Sequence, residues 1–238
     1  MAYIHDSYTD LGGRKNNEDA FITSQKDTAF LYVVADGLGG HDSGELASKI
    51  AVNEIKHFFD AAPYSFDPVS AIKSANAKII QEQINTGLKM KTTIVLAYVT
   101  SDQIVFAHVG DSRAYAFKEN SIIYQSVDHS VSQMAVSLGE ITTDQIRNHE
   151  DRNILTRALG VDENVKVDIF SVPCGQVDAA LLCTDGFWEY VYEEDMQKTL
   201  SVSNNPDVWL YKMREILDKN VPLNNDNNTA ITIMKRGQ

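Results

Sequence analysis

Residues 31–45, LYVVADGLGGHDSGE, constrain the fold of this chain more than any other stretch. The apolar, β-branched run over 30–35 has the length of a buried strand. It stops at Asp36-Gly37, where a carboxylate emerges at the strand end beside a residue free to turn either way. Gly39-Gly40 let the backbone pass close to whatever Asp36 holds, and Asp42 with Glu45 predicts a capping box opening a helix. A plain strand-to-helix connection would explain this stretch alone. The pattern recurs, however: a second apolar run, Ala179–Cys183, ends in Thr184-Asp185-Gly186, and further acids stand at Asn17-Glu18-Asp19 and Asp226-Asn227. Each lies at the edge of an apolar stretch, where a sandwich of sheets can gather them at one rim.

At 238 residues and 43% apolar content the chain fits a single domain spanning 1–238. A formal net charge of −12 argues against nucleic acid and anionic membrane as ligands and suits cations. No apolar run approaches the roughly 20 residues of a membrane-spanning helix, and residues 1–10 carry no basic, apolar leader, so a cytoplasmic protein is expected. Cys174 and Cys183 lack the spacing of a metal or redox pair and read as buried small apolar residues.

A first strand pair is expected over 3–9 and 20–24, joined by a loop that brings Arg14 close to Glu18 and Asp19. Helices follow from Asp42 through Phe59 and over 69–86, each with one apolar face. From Thr92 the period becomes strand-like, and TTIVLAYV, QIVFAHVG, RAYAF and SIIYQSV predict an antiparallel meander with Gly110-Asp111-Ser112-Arg113 as its second turn. Residues 130–152 are polar and short of core positions, which predicts a surface flap, followed by a small helix over 153–159. Strands over 165–172, 179–183 and 229–234 and helices over 188–200 and 207–221 complete an α+β chain. The expected architecture is a four-layer α-β-β-α sandwich, two antiparallel sheets flanked by helices with a small surface flap.

Carboxylates without a convergent Cys and His set favour Mg²⁺ or Mn²⁺ over zinc. The motifs Arg14-x-x-Asn17-Glu18-Asp19-Ala20, Asp36-Gly37-x-Gly39-Gly40-His41-x-x-Gly44-Glu45, Gly110-Asp111-Ser112-Arg113-x-Tyr115, Asp128-His129-Ser130, Leu155-Thr156-Arg157-Ala158-Leu159-Gly160, Cys183-Thr184-Asp185-Gly186 and Asp226-Asn227-x-Thr229 occur in one order along the chain. In that order they resemble metal-dependent protein phosphatases of type 2C, in their compact bacterial form. The resemblance implies hydrolysis of phosphoserine and phosphothreonine on proteins, targets of a serine/threonine kinase, by a metal-activated water and by a monomeric enzyme. It implies two Mn²⁺ or Mg²⁺ ions bridged by Asp36, one completed by the Gly37 carbonyl and Glu18, the other held by Asp185 and Asp226. It further implies Asp19 fixing water, Arg14 gripping the phosphate, and a weaker third ion at Asp111 with Asp185.

His41 has two readings, satisfying a backbone group near the helix start or transferring a proton. His108 and His129 read as structural. Two positions depart from the family pattern. Leu38 stands where animal members carry a proposed histidine acid, as bacterial members usually have an apolar residue there, and Lys91 replaces the glycine of the usual Gly-Thr-Thr. The Lys91 departure sustains an alternative, a phosphatase-like binding or regulatory module with little turnover. A serine hydrolase built on Ser112 lacks a histidine after His149, and Cys183 lacks the arginine six positions on that a cysteine phosphatase needs.

Overall fold

The apolar run before Asp36 forms strand β3 (Ala29–Ala35), every residue of which is buried. In the computed structural model, which describes residues 3–39 and 43–236, β3 is an inner strand of a five-stranded sheet. Its order is β10 (Asp168–Pro173), β7 (Gln103–Val109), β6 (Ile94–Val99), β3, β2 (Ala20–Lys26). A second sheet runs β1 (Tyr3–Asp10), β12 (Asn228–Lys235), β11 (Ala179–Cys183), β8 (Arg113–Lys118), β9 (Ser121–Gln125). All neighbours in both sheets are antiparallel. A two-stranded ribbon of β4 (Gly37–Leu38) and β5 (Lys91–Thr92) extends from the end of β3.

Alternation along the strands sends side chains to two cores. Leu31, Val33 and Ala35 face helices α1 (Ser43–Ala61) and α2 (Pro68–Thr86), with Ile55, Phe59, Ile72 and Ile79. Tyr32 and Val34 point the other way and meet Phe106, Leu182 and Ile231 between the sheets. Against the outer face of the second sheet pack α4 (Asp185–Trp188), α5 (Glu193–Ser201) and α6 (Pro206–Asn220), through Phe187, Met196, Trp209 and Met213. The result is the expected α-β-β-α layering, each fully buried Leu, Ile or Phe contributing roughly 1.5–3 kcal/mol. Helix α2 starts on Asp67, which accepts from the Val69 N–H, and ends at Gly87 with φ 73°. Both cysteines are buried and free. Among the described residues no helix is long and apolar enough to cross a membrane.

Several expectations are corrected. Strands β1 and β2 do not pair with each other: β1 pairs with β12 and β2 with β3, because residues 11–19 carry the chain from one sheet to the other. The meander also breaks. β6 pairs with β7 and β8 with β9, but Gly110-Asp111-Ser112 is a crossing between sheets rather than a hairpin turn. Thr92 belongs to the separate ribbon, paired with Gly37. Residues 153–159 form no helix; they are held extended by bridges from Leu155 to Ser130 and from Leu159 to Thr92. The helix expected over 188–200 is two, since the chain turns between Glu189 and Tyr192. Residues 130–152 hold α3 (Val131–Ser137) and a 3₁₀ turn (Thr143–Asn148) anchored by the buried Ile146. His41, and the capping box from Asp42, lie outside the described residues.

Candidate metal centre

Two of the crossings between the sheets pass the same rim. Gly12, at φ 59°, turns the first, and the Gly13 N–H donates to the Asn225 carbonyl at 3.0 Å. Asn227 ties that loop down: its Nδ2 donates to the carbonyls of Leu11 (2.8 Å) and Asn16 (3.0 Å), and its Oδ1 accepts from the Glu18 N–H (2.8 Å). Glu18 and Asp19 are thus positioned by the far end of the chain. The second crossing turns at Gly110, φ 109°, where a side-chain carbon would sit 2.7 Å from Thr93. Thr93 Oγ1 is 2.7 Å from Ser112 Oγ and accepts from the Asp36 N–H at 3.0 Å, joining this crossing to the end of β3.

The rim gathers acids. Asp36 feels the charges of Asp185, Asp19, Asp111 and Asp226, and burial first and then these neighbours hold its carboxyl well above the usual carboxylate range. Asp111 is raised in the same way by burial and by Asp185. Burial, with Glu189 and Asp226 next, pushes Asp185 up to about 7. Its carboxyl lies within hydrogen-bonding reach of Asp36, and its Oδ1 is buried with no partner. Asp19 is pushed up to about 7 by burial, against hydrogen bonds to its Oδ2 from Thr229 (2.7 Å) and Thr184 (3.0 Å).

Glu18 and the Gly37 carbonyl meet on the other side of Asp36. The Glu18 carboxyl carbon and the Gly37 oxygen each lie 2.8 Å from where a side-chain carbon on Gly44 would stand, so only glycine admits both. Ser48 Oγ donates to the Glu18 carbonyl at 2.6 Å, fixing that backbone against α1. Arg14 forms an ion pair with Asp226, Nη2 to Oδ2 at 2.7 Å. Arg14, Asp226, Asp185, Glu189, Tyr190 and Arg152 line a cleft of about 240 Å³.

Behind the acids stands a buried buttress. Arg113 makes a two-pronged pair with Asp128 (2.8 and 2.7 Å) and lies 3.4 Å over the Trp188 ring, whose Nε1 donates to the Asp111 carbonyl at 2.9 Å. His129 Nδ1 accepts from the Gly110 N–H at 3.0 Å and its ring stacks on His108 at 4.7 Å. Burial, then His108 and Arg157, pushes His129 down to about 4, so it is neutral. Both histidines thus serve the architecture around Asp111.

A group of buried, mutually repelling carboxylates with an unpartnered oxygen is poorly satisfied by protein alone. Hard oxygen donors, a backbone carbonyl and like charge fit a divalent cation such as Mg²⁺ or Mn²⁺. Among the described residues no three His, Cys, Asp or Glu side chains close into a cage by themselves.

Sequence reasoning assigned no role to Thr184, Thr229 and Asn227, although each lies inside a quoted motif. Glu189 and Arg152, paired at 2.9 Å across the cleft, carried no sequence signal: their meeting depends on how residues 130–152 fold back.

Comparison with known proteins agrees with this geometry. The family model described as protein phosphatase 2C matches residues 11–221. The serine/threonine phosphatase stp of Listeria welshimeri is 34% identical over 232 residues, 86% of this chain and 87% of that protein. The crystal structure of the serine/threonine phosphatase Stp1 from Staphylococcus aureus superposes with a TM-score of 0.88 at 32% identity, covering 100% of this chain and 96% of that one. The catalytic domain of the serine/threonine protein phosphatase PstP, solved in complex with two manganese ions, shares the fold at a TM-score of 0.83 and 24% identity, covering 99% of each chain.

Proposed function

The chain belongs to the protein phosphatase 2C family and is a metal-dependent serine/threonine protein phosphatase acting on phosphoproteins, and we propose the following assignment of its site. Two divalent ions, Mn²⁺ or Mg²⁺, would be held at the rim. Asp36 would serve both, with Glu18 and the Gly37 carbonyl completing one set and Asp185 and Asp226 the other. Asp111 with Asp185 would hold a third ion more weakly. When bound, the ions supply Lewis acidity, making water a nucleophile at neutral pH and drawing charge from the phosphoryl oxygens. The observation that carries this assignment is the buried, unpartnered Oδ1 of Asp185 among four further carboxylates.

The chain's own groups do the rest. Asp19, its Oδ2 fixed by two threonine hydroxyls, keeps its other oxygen to accept a hydrogen bond from water and orient it. Arg14 swings from Asp226 to the substrate phosphate, which its planar fork grips at two oxygens. That exchange is inexpensive, because a half-exposed ion pair is worth about 1 kcal/mol or less. His41 either transfers a proton or supports the loop before α1. The enzyme works as a cytoplasmic monomer of one domain, 1–238, on targets of a serine/threonine kinase, with the flap at about 130–152 bordering the cleft; its net charge of −12 supports neither nucleic-acid nor membrane binding.

The test is hydrolysis of a phosphoserine peptide by purified protein with Mn²⁺, with Mg²⁺ and with chelator. Turnover with either metal and none with chelator is the expected result; metal-independent turnover overturns the assignment.

A further inference from the structure

Lys91 stands where the family pattern has glycine, and the structure shows what surrounds it. The segment Lys89-Met90-Lys91-Thr92 alternates strictly: Met90 and Thr92 are buried, Lys89 and Lys91 exposed. Its backbone is fixed at nearly every residue. Ser43 Oγ donates to the Lys89 carbonyl (3.1 Å), Gln83 Nε2 donates to the Met90 carbonyl (2.6 Å), and Thr92 exchanges N–H···O bonds with Leu159 (3.2 and 2.9 Å). The Thr92 hydroxyl and the Thr93 N–H both donate to the carbonyl of Asp36 (2.7 and 2.8 Å). Lys91 is therefore one residue from a strand clamped onto the central acid of the site.

The ribbon fixes the direction of the side chain. Lys91 pairs with Leu38, and paired residues of an antiparallel ribbon share a face, with Cβ atoms about 4.5–5.5 Å apart. Leu38 follows the Gly37 carbonyl directly, so Lys91 exposes its side chain on the ribbon that extends from the Asp36 end of β3. Lys89, two residues earlier, is on the same outward face.

Charge makes the placement informative. Acids outnumber cations by 33 to 21 in this chain, and among the described residues Lys26, Lys49, Lys56, Lys78 and Lys118 pair with an acid while most lysines do not; what sets Lys89 and Lys91 apart is their place beside the end of β3. Among the described residues neither Lys89 nor Lys91 has an ion-pair partner. Two exposed cations on one hydrogen-bonded segment at the edge of an acidic centre are placed to meet an anion brought by the substrate.

Resting on the phosphatase reading above, we infer that Lys91, assisted by Lys89, is a specificity-determining residue that selects phosphopeptides carrying a second anionic group near the phosphoserine. Lys91 is two residues along the ribbon from Asp36, and its side chain adds a comparable reach. The second anion therefore lies about two or three residues from the phosphoserine at about 3.3 Å per residue. A carboxylate and a second phosphate share the chemistry required, an exposed anion that accepts from an ammonium.

The experiment compares Lys91→Gln, Lys91→Gly and Lys91→Arg with the parent protein. The substrates are phosphoserine peptides flanked at two and three residues on either side by alanine, by glutamate or by a non-hydrolysable phosphonate mimic of phosphothreonine, with p-nitrophenyl phosphate as the flank-free control. Hydrolysis is followed in Mn²⁺ at low and high salt, and peptide affinity is measured separately by fluorescence anisotropy. The parent is expected to prefer an anionic flank about three- to tenfold in kcat/KM, through KM, with the preference shrinking in salt. Lys91→Gln and Lys91→Gly should erase it while leaving p-nitrophenyl phosphate and the alanine peptide unchanged, and Lys91→Arg should retain it. A preference for glutamate alone, or for the phosphonate mimic alone, identifies which anion the lysines read. No preference in the parent, or equal losses on every substrate in the variants, overturns the inference. If the parent hydrolyses nothing, it is the phosphatase reading that fails, and the flank preference is then decided by the anisotropy measurement.

Discussion

Arg14 reaches Asp226 across 212 positions of sequence, Nη2 to Oδ2 at 2.7 Å, so the group proposed to grip phosphate is neutralised by a group proposed to hold metal. Loading the centre and freeing the arginine are then one event. Arg14→Ala should raise KM for a phosphoserine peptide about tenfold and lower kcat by less than about threefold, because a phosphate contact made in both ground and transition states is mostly uniform binding. Arg14→Lys should recover part of the loss, since an ammonium lacks the fork. Steady-state kinetics at saturating metal decide the matter, and an unchanged KM returns Arg14 to a surface ion pair.

The repulsion among the acids predicts opposite effects on activity and stability. Asp36→Asn, Asp185→Asn and Asp226→Asn should each abolish metal-dependent turnover. In chelator, however, Asp36→Asn should raise the melting temperature by about 2–4 °C, the equivalent of about 1 kcal/mol, since it removes a buried charge from among like charges. Adding Mn²⁺ should stabilise the parent and not the variant. Calorimetry in chelator and in Mn²⁺ checks both, and a destabilised Asp36→Asn in chelator contradicts the account.

At Gly44 a methyl group would stand 2.8 Å from both the Glu18 carboxyl carbon and the Gly37 oxygen. Gly44→Ala favours the helix by roughly 0.5–1 kcal/mol in propensity yet must displace two proposed ligands. The expected outcome is a normal circular dichroism spectrum with metal affinity weakened more than about tenfold, measured by calorimetric titration. Unaltered affinity would remove Glu18 and Gly37 from the ligand set.

The Arg113 and Asp128 pair is wholly buried, each side chain 2% exposed. Arg113→Ala leaves the carboxylate unpaired beneath Trp188 and should cost about 3–5 kcal/mol in denaturant unfolding. Arg113→Met combined with Asp128→Leu should cost less than that single change, because no charge is then stranded. A double variant less stable than Arg113→Ala would mean that shape, not charge, dominates this layer.

What the sequence revealed was local. The run into Asp36, the helical faces of α1 and α2 and the acid at each strand end depend on neighbours within a few positions, and the motif order carried the family. Pairing was hidden. That β1 joins β12 rather than β2, and that Gly110 turns between sheets rather than within one, depends on contacts distant in sequence. Periodicity records which face a residue buries, not which strand lies beside it. The same limit hid Asp226 as the partner of Arg14, and hid Glu189 and Arg152, which meet only because residues 130–152 fold over the second sheet.

Asp19 accepts hydrogen bonds from Thr184 and Thr229, and Glu18 is positioned by Asn227, so these two early acids are set in large part by β12 and the residue just before it. A nascent chain emerging from the ribosome therefore carries every residue of the first sheet, with its helices, long before it carries a working centre. Catalytic competence arrives only when the final strand slots between β1 and β11, a late, long-range closure of the kind that slows folding. Chains cut short before Asn228 by premature termination or proteolysis should for that reason be silent, unable to strip phosphate from anything in the cell.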